Sequence, residues 1–494
     1  MMMYRPDQLP QSVIAVGPVE RVIKEGIGVN VFLGRDRYYP PTAHQAAWHR
    51  IEALLDEAQP GFMRIGYLEG TGVHGDVTPW DDKAQAFDLQ HDVWKKIAWF
   101  DAWCDRHNVH WMLDPWWIPA SLQVPYSGHA PLQPDSSGKA PWRGAPRDPG
   151  EYADHYIRPL LRHVRDTLHV RRLRWLGLLN EPIWGAQARD PDNFFVREGE
   201  QQVRVLVEMY KEVHRVLQAE KMDISLVGPG HLCAWQMPPL DFLAAGVDPS
   251  RHLGAWDAHA YFHQPDWMPE CTPDFVRTHE YIQHTIRRWV DFARQQDKPF
   301  FITEMGTFYF GRPFWGDRDY ETAGSHSAAI HDAQFIVRAI NEGVDGLLRW
   351  VLCADRTVDG RWGLIERHES DAIEPSPHIY PAYRALMRAI PPRASMHAIH
   401  HAVADGAPVR VHAVAAQAQG TARMVLVHDR PGRNADVRIE CPPAWAGKTF
   451  RRCVVDEMRK GMAMSDVVIP NIAKPTVDLM ITPYSITTLE ERNA

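Results

Sequence analysis

Eight short apolar runs of strand-like composition recur through the first 390 residues, separated by longer stretches, and that alternation leaves the chain very few folds. The runs are Gly26–Leu33 (GIGVNVFL), Gly61–Gly66 (GFMRIG), Val109–Asp114 (VHWMLD) and Leu173–Asn180 (LRWLGLLN), then Ile224–Gly228 (ISLVG), Ala255–Tyr261 (AWDAHAY), Phe300–Glu304 (FFITE) and Gly346–Leu352 (GLLRWVL). Stretches with amphipathic helical spacing lie between them, among them Gln90–Arg106, Val203–Ala219, Tyr281–Gln295 and Ser327–Glu342. Repeated strand-then-helix units predict an α/β chain closed into a (β/α)8 TIM barrel over residues 26–390. The competing open, doubly wound sheet would carry a glycine-rich phosphate turn after its first strand. None is there.

The composition shifts at Ile390-Pro391-Pro392. Beyond it Val409–Ala415, Met424–His428 and Asp436–Glu440 alternate in polarity, and the chain runs out through MITPYSITTLE. Residues 391–494 therefore read as an antiparallel β-sandwich. Residues 1–25 hold two further strand-like pieces, Val13–Val16 and Val19–Ile23, which are expected to complete that sandwich before the chain enters the barrel.

A formal charge of -8 over 494 residues gives no basic footprint, which disfavours a nucleic-acid partner. No stretch approaches the roughly 18 apolar residues needed to span a bilayer, so no membrane role is expected. Six scattered cysteines without a CxxC pair argue against a disulfide scaffold or zinc cluster. Cys441 and Cys453 are close enough in sequence to pair, but two buried thiols are the expectation. With no signal-peptide pattern near the N-terminus, these features fit a cytoplasmic protein. Oligomeric state is not legible.

Two features point to chemistry. Long connections follow the third run (Trp116–Gly150) and the seventh (Gly306–Gly324), on the side where a barrel builds its active face. Tryptophans gather just after the runs, at Trp80, Trp116, Trp117, Trp184, Trp267, Trp315 and Trp362. Sugars bury their apolar C–H faces on such rings, although loop aromatics also pack locally. Cleavage of a glycosidic bond with retention needs two carboxyl groups about 5 to 5.5 Å apart, one to protonate the leaving oxygen and one to attack. Glu181 ends the fourth run in Asn180-Glu181-Pro182, and Glu304 ends the seventh in Thr303-Glu304-Met305-Gly306. Acids so placed would come from different strands and meet at one mouth.

Asn180-Glu181-Pro182 on the fourth strand, with Ile-Thr-Glu304 and Gly306 on the seventh, resembles glycoside hydrolase clan A. That clan includes the cellulase-like family 5 and relatives with an appended β-sandwich. Arg64 in FMRIG, His259 and Tyr261 in DAHAY, and Trp350 in LRWVL extend the resemblance to the second, sixth and eighth strands. It implies that Glu181 is the acid/base and Glu304 the nucleophile. Asn180 would bond the sugar 2-hydroxyl, Tyr261 would donate to Glu304, and Arg64 would favour its ionised form. Glu181 would instead need a raised pKa. Trp350 would floor the sugar subsite. Family 5 members usually carry a His just after strand three, where this chain has Asp114-Pro115-Trp116-Trp117; His110 sits too early in its run to replace it.

Each of these residues also has a structural reading. Arg64 suits a buried ion pair, His259 a hydrogen-bonded core histidine, and Trp350 plain packing. Asp257 shares a strand face with His259 and reads as a supporting residue. Two rival functions were weighed. A metal-dependent hydrolase would want an HxH pair on an early strand, and GVNVFL has no histidine. A non-catalytic carbohydrate-binding protein would have no use for both carboxylates. The expected activity is thus retaining hydrolysis of β-glycosides, leaning to exo-action on oligosaccharides or small glycosides, with a carbohydrate substrate and with neither cofactor nor metal.

Overall fold

The eight apolar runs close into one parallel barrel. Its strands are Gly26–Phe32, Phe62–Gly66, His110–Asp114, Leu173–Leu176, Ser225–His231, Leu253–Phe262, Phe300–Thr307 and Gly346–Arg349, and the eighth pairs with the first. The computed structural model describes residues 12–33, 39–66, 78–116, 118–122, 146–181, 200–231, 246–262, 285–307, 324–355, 362–368, 372–403, 411–429 and 432–492. Trp117, Trp184, Trp267 and Trp315 lie outside those residues, as does most of both long connections. Gly26–Phe32, Phe62–Gly66 and Phe300–Thr307 are buried along their whole length, because helices cover the outside while side chains fill the inside. Two runs pair over a shorter span than their apolar content predicts: the fourth stops at Leu176 rather than Asn180, and the eighth at Arg349 rather than Leu352.

Inside the barrel an apolar layer takes one side chain from each of strands two to eight: Phe62, Met112, Trp175, Val227, Ala255, Phe301 and Leu348. The first strand offers Gly28 at this level, since a Cβ there would stand 1.8 Å from the Phe62 carbonyl oxygen. Below that layer the base is closed by Glu25, 1% exposed, which accepts from Trp175 Nε1 at 2.8 Å and lies 3.2 Å from His110 Nδ1. His110 therefore belongs to the end of the barrel opposite the strand-end acids. Above the layer the interior turns polar.

The helices form where their caps allow. His326–Glu342 begins at Ser325, whose Oγ accepts from Ala328 N, and ends at Gly343 in the left-handed region. Asp92–His107 begins at His91 and stops at left-handed Asn108. Gln45–Ala58, Ile379–Ala389 and the continuous helical stretch Pro149–Thr167 are further helices that the spacing alone did not single out.

The second domain is a ten-stranded sheet folded around its own core. Ser12–Val22 belongs to it, antiparallel to Ser395–Val403 on one side and parallel to Ala435–Glu440 on the other, so the sandwich is mixed rather than purely antiparallel. Strand Val411–Ala418 is buried almost throughout, for a reason its alternation shows. Val411, Ala413 and Ala415 enter the sandwich core, while Val414, Ala416 and Ala418 pack toward the barrel. Helices His326–Glu342 and Ile379–Ala389 lie between the two domains. Cys441 and Cys453 are free thiols, as are Cys104 and Cys353, and burial pushes the Cys441 thiol up to about 12. Among the described residues no helix is long and apolar enough to cross a membrane.

Candidate active site

The polar end of the barrel interior is organised by Arg64, 1% exposed on the second strand. Its guanidinium reaches four side chains: Nε donates to Asp114 Oδ2 at 2.9 Å, Nη2 to Asn180 Oδ1 at 2.9 Å, and Nη1 to Asn30 Oδ1 at 3.3 Å and to Glu304 Oε1. Burial alone would lower its pKa, but the Asp114 and Glu304 carboxylates outweigh that and raise it. Arg64 is thus a permanent cation between two acids, as the buried ion-pair reading expects.

Glu304 has its second oxygen occupied too. Tyr261 donates to Oε2 at 2.6 Å, and His259 Nδ1 stands 3.5 Å from the same atom. Burial and the Glu304 charge hold the Tyr261 phenol well above its ordinary pKa, so it remains a donor. The side chain is aimed by a bulge. Ile302 pairs with Ala258 and Glu304 with His259, which leaves Thr303 as one extra residue on the seventh strand.

Glu181 is reached differently. Beyond Leu176 the chain leaves regular pairing but stays hydrogen-bonded: Gly177 N donates to Leu113 O, Asn180 N to Trp116 O, and Glu181 N to Gly230 O at 3.0 Å. Glu181 itself has φ of 52°, an uncommon conformation for a residue with a Cβ. Its Oε1 lies 2.8 Å from His259 Nδ1, so a proton sits between carboxyl and imidazole. His259 is fully buried and its Nδ1 lies within 3.5 Å of both acids. Oxygens of Glu181 and Glu304 and a ring nitrogen of His259 fall within 4.8 Å of one another. Among the described residues this is also the one group whose donor atoms could share a metal ion. Arg64 and Tyr261 already present positive hydrogens to both Glu304 oxygens, so a cation would have to compete with them.

An aromatic shelf borders the acids. Trp350, half-buried, stacks on Trp116 with ring centroids 5.3 Å apart and planes 20° apart, and Phe32 closes the triangle at 5.0 and 5.3 Å. Arg64 lies 5.4 Å over the Trp116 ring.

Several members of this site were not singled out from the sequence. Asn30, 2% exposed, ties Arg64 to the seventh and eighth strands through Nδ2 bonds to Thr303 O and Arg349 O. A lone amide inside GVNVFL is a readable signal, because a buried amide needs partners. Asp114 fills the position after which family 5 carries a His, and it is spent on Arg64 and on the Trp116 N–H. Asp332 accepts from Thr307 N and Oγ1, from Arg349 and from the Tyr383 hydroxyl, bracing the seventh strand's end beside Trp350. Asp257, by contrast, reads from the sequence as a supporting residue; it accepts from Gly230 N at 2.7 Å and from Thr303 Oγ1 at 2.6 Å, and burial pushes its carboxyl up to about 6.

No family model matches the chain, and no curated protein matches it in sequence. Solved structures do match. A GH30 endoxylanase from Clostridium papyrosolvens is 14% identical with a TM-score of 0.61, over 98% of this chain and 100% of that one. The catalytic domain of GH30 xylanase C from Talaromyces cellulolyticus is 14% identical with a TM-score of 0.63, over 97% and 100%. The GH39 enzyme from Xanthomonas axonopodis pv. citri is 15% identical with a TM-score of 0.58, over 99% and 98%. These neighbours belong to the clan that the strand-end motifs resemble, and the likeness establishes a shared architecture, a barrel joined to a β-sandwich.

Proposed function

We propose that the chain is a retaining β-glycoside hydrolase in which Glu304 is the nucleophile and Glu181 the acid/base. One observation carries the reading: two carboxyl groups from different strands approach within 4.8 Å at one barrel mouth, in unlike surroundings. That spacing suits direct attack by one acid rather than room for an intervening water, which inverting enzymes leave by setting their carboxyls about 6.5 to 9.5 Å apart. The surroundings divide the roles. Glu304 is fixed at both oxygens by a cation and a phenol, which aims it for attack. Glu181 has His259 at 2.8 Å as a partner that can exchange a proton with it. The likeness to solved xylanases and other glycoside hydrolases supports the same class.

In the first step Glu304 attacks the anomeric carbon and Glu181 protonates the departing oxygen. Water, giving its proton to Glu181, then cleaves the glycosyl ester and restores both acids. The Asn180 oxygen is taken by Arg64, so its NH2 is the group presented to the sugar 2-hydroxyl. Trp350, braced by Trp116, forms the floor under the ring.

We assign removal of a terminal sugar from oligosaccharides or small glycosides. A screen of chromogenic β-glycosides with Glu304→Ala as control tests the class. Digestion of a xylo-oligosaccharide series tests the mode: monosaccharide alone as first product supports terminal removal, and mixed oligomers refute it. An α-anomer as the first-formed sugar would refute retention.

A further inference from the structure

Strand six lies between strands five and seven in the barrel, and both neighbours bulge, at adjacent levels. On strand five Gly228 pairs with Trp256 and His231 with Ala258, three steps against two. On strand seven Ile302 pairs with Ala258 and Glu304 with His259, two steps against one. Asp257, 1% exposed, stands between Trp256 and Ala258, opposite the first bulge and just before the second. Its two oxygens engage the two bulges separately: Oδ1 takes the Gly230 N–H at 2.7 Å, and Oδ2 the Thr303 hydroxyl at 2.6 Å.

Each bulge leads straight to one acid. Gly230 gives its carbonyl to the Glu181 N–H at 3.0 Å, and Thr303 precedes Glu304 in the chain. Gly230 has φ of 66°, and a Cβ there would stand 2.8 Å from Leu179 O, so this turn is shaped to seat the residues just before Glu181. We infer that Asp257 is a positioning residue that sets the separation of Glu181 and Glu304 by clamping both bulges with one carboxylate. This rests on the assignment of those two acids as the catalytic pair. Burying a carboxylate here is costly, and its retention makes sense only if both bonds matter. Asp257 touches neither acid, so its influence passes through backbone.

The two halves of the clamp act on different parts of the reaction, which makes them separable. Loosening Gly230 displaces the acid, and a displaced acid matters most when the leaving group is poor. Loosening Thr303 displaces the nucleophile, which matters for every leaving group. The probes are 2,4-dinitrophenyl and phenyl β-xylosides and β-glucosides, compared at a temperature where each variant is folded. Asp257→Ala should lower kcat/KM about 100-fold on the phenyl glycoside but only about 10-fold on the dinitrophenyl one. Thr303→Val, which keeps the Gly230 bond, should lower both about equally, by roughly 10-fold. Asp257→Asn keeps an oxygen for Gly230 N–H, so the ratio of the two rates should return close to the parent's.

A folded Asp257→Ala with parent-like rates, or with losses indifferent to the leaving group, overturns the clamp. If the alanine variant fails to fold, a Thr303→Val variant with parent-like rates on both glycosides overturns it instead. Turnover surviving in Glu304→Ala would remove the catalytic pair itself, a different failure visible without any Asp257 variant.

Discussion

The Tyr261 hydroxyl donates to Glu304 Oε2 at 2.6 Å, on the carboxylate oxygen that Arg64 leaves open. Phenol and guanidinium thus divide the two oxygens between them, and Glu304 can point only one way. Replacing Tyr261 by Phe should lower kcat/KM by about 10- to 100-fold, the value of one hydrogen bond to a charged group. The thermal melt should move little, because the ring still packs. Rates within twofold of the parent would show that Arg64 orients Glu304 unaided.

Glu304→Ala should abolish turnover of an activated aryl β-glycoside. Added azide should restore product formation as the α-glycosyl azide, because the small anion enters where the carboxylate stood. A β-glycosyl azide, identified by NMR, would mean that the roles of Glu181 and Glu304 are exchanged.

At the opposite end of the barrel, Glu25 accepts from Trp175 Nε1 at 2.8 Å, and Trp175 belongs to the apolar layer inside the barrel. Glu25→Ala would strand that buried donor, at a cost of about 2 to 4 kcal/mol in urea unfolding. Its kcat/KM should match the parent's, since the apolar layer separates it from the acids. A selective loss of activity at unchanged stability would contradict this division of the barrel.

Asp257 predicts a pH dependence of stability with a definite sign. Its folded carboxyl titrates at about 6 against an ordinary 3.8, raised by burial. A raised value means that its contribution is fully present below about pH 4 and lost as pH rises through 6, by about 3 kcal/mol in all. The Thr303 hydroxyl, Gly230 N–H and Arg64 oppose the rise, and Asp114 adds to it. Between pH 4 and pH 7 the parent should therefore lose about 3 kcal/mol relative to Asp257→Asn. Equal pH profiles for the two proteins would show that folding leaves the Asp257 carboxyl at its ordinary value.

Glu181 and Glu304 were visible in the sequence because each ends an apolar run, and a strand with both faces buried reads as continuous hydrophobicity. Arg64, His259 and Tyr261 were visible as polar residues within such runs. What was hidden depends on register. The clamp by Asp257 exists because strand five carries an extra residue opposite it and strand seven one just beyond it, and pairing offsets between distant segments leave no local mark. Asp332 was hidden for a related reason, lying in a helix while serving Thr307, Arg349 and Tyr383 on other elements. The fourth strand's early end leaves no mark either, since Gly177–Leu179 remain apolar while Gly177, Asn180 and Glu181 donate to carbonyls outside regular pairing.

Ser12–Val22 is seated between Ser395–Val403 and Ala435–Glu440 in the second domain. A strand that precedes the barrel in the chain is therefore a middle strand of the domain whose other strands follow the barrel. It must wait unpaired through synthesis of the whole barrel. A barrel excised at residue 26 would leave an empty slot between two exposed strand edges in the other domain, an invitation to aggregate. Dividing this protein into working halves therefore calls for a circular rearrangement that carries the first strand to the far end, rather than a single cut.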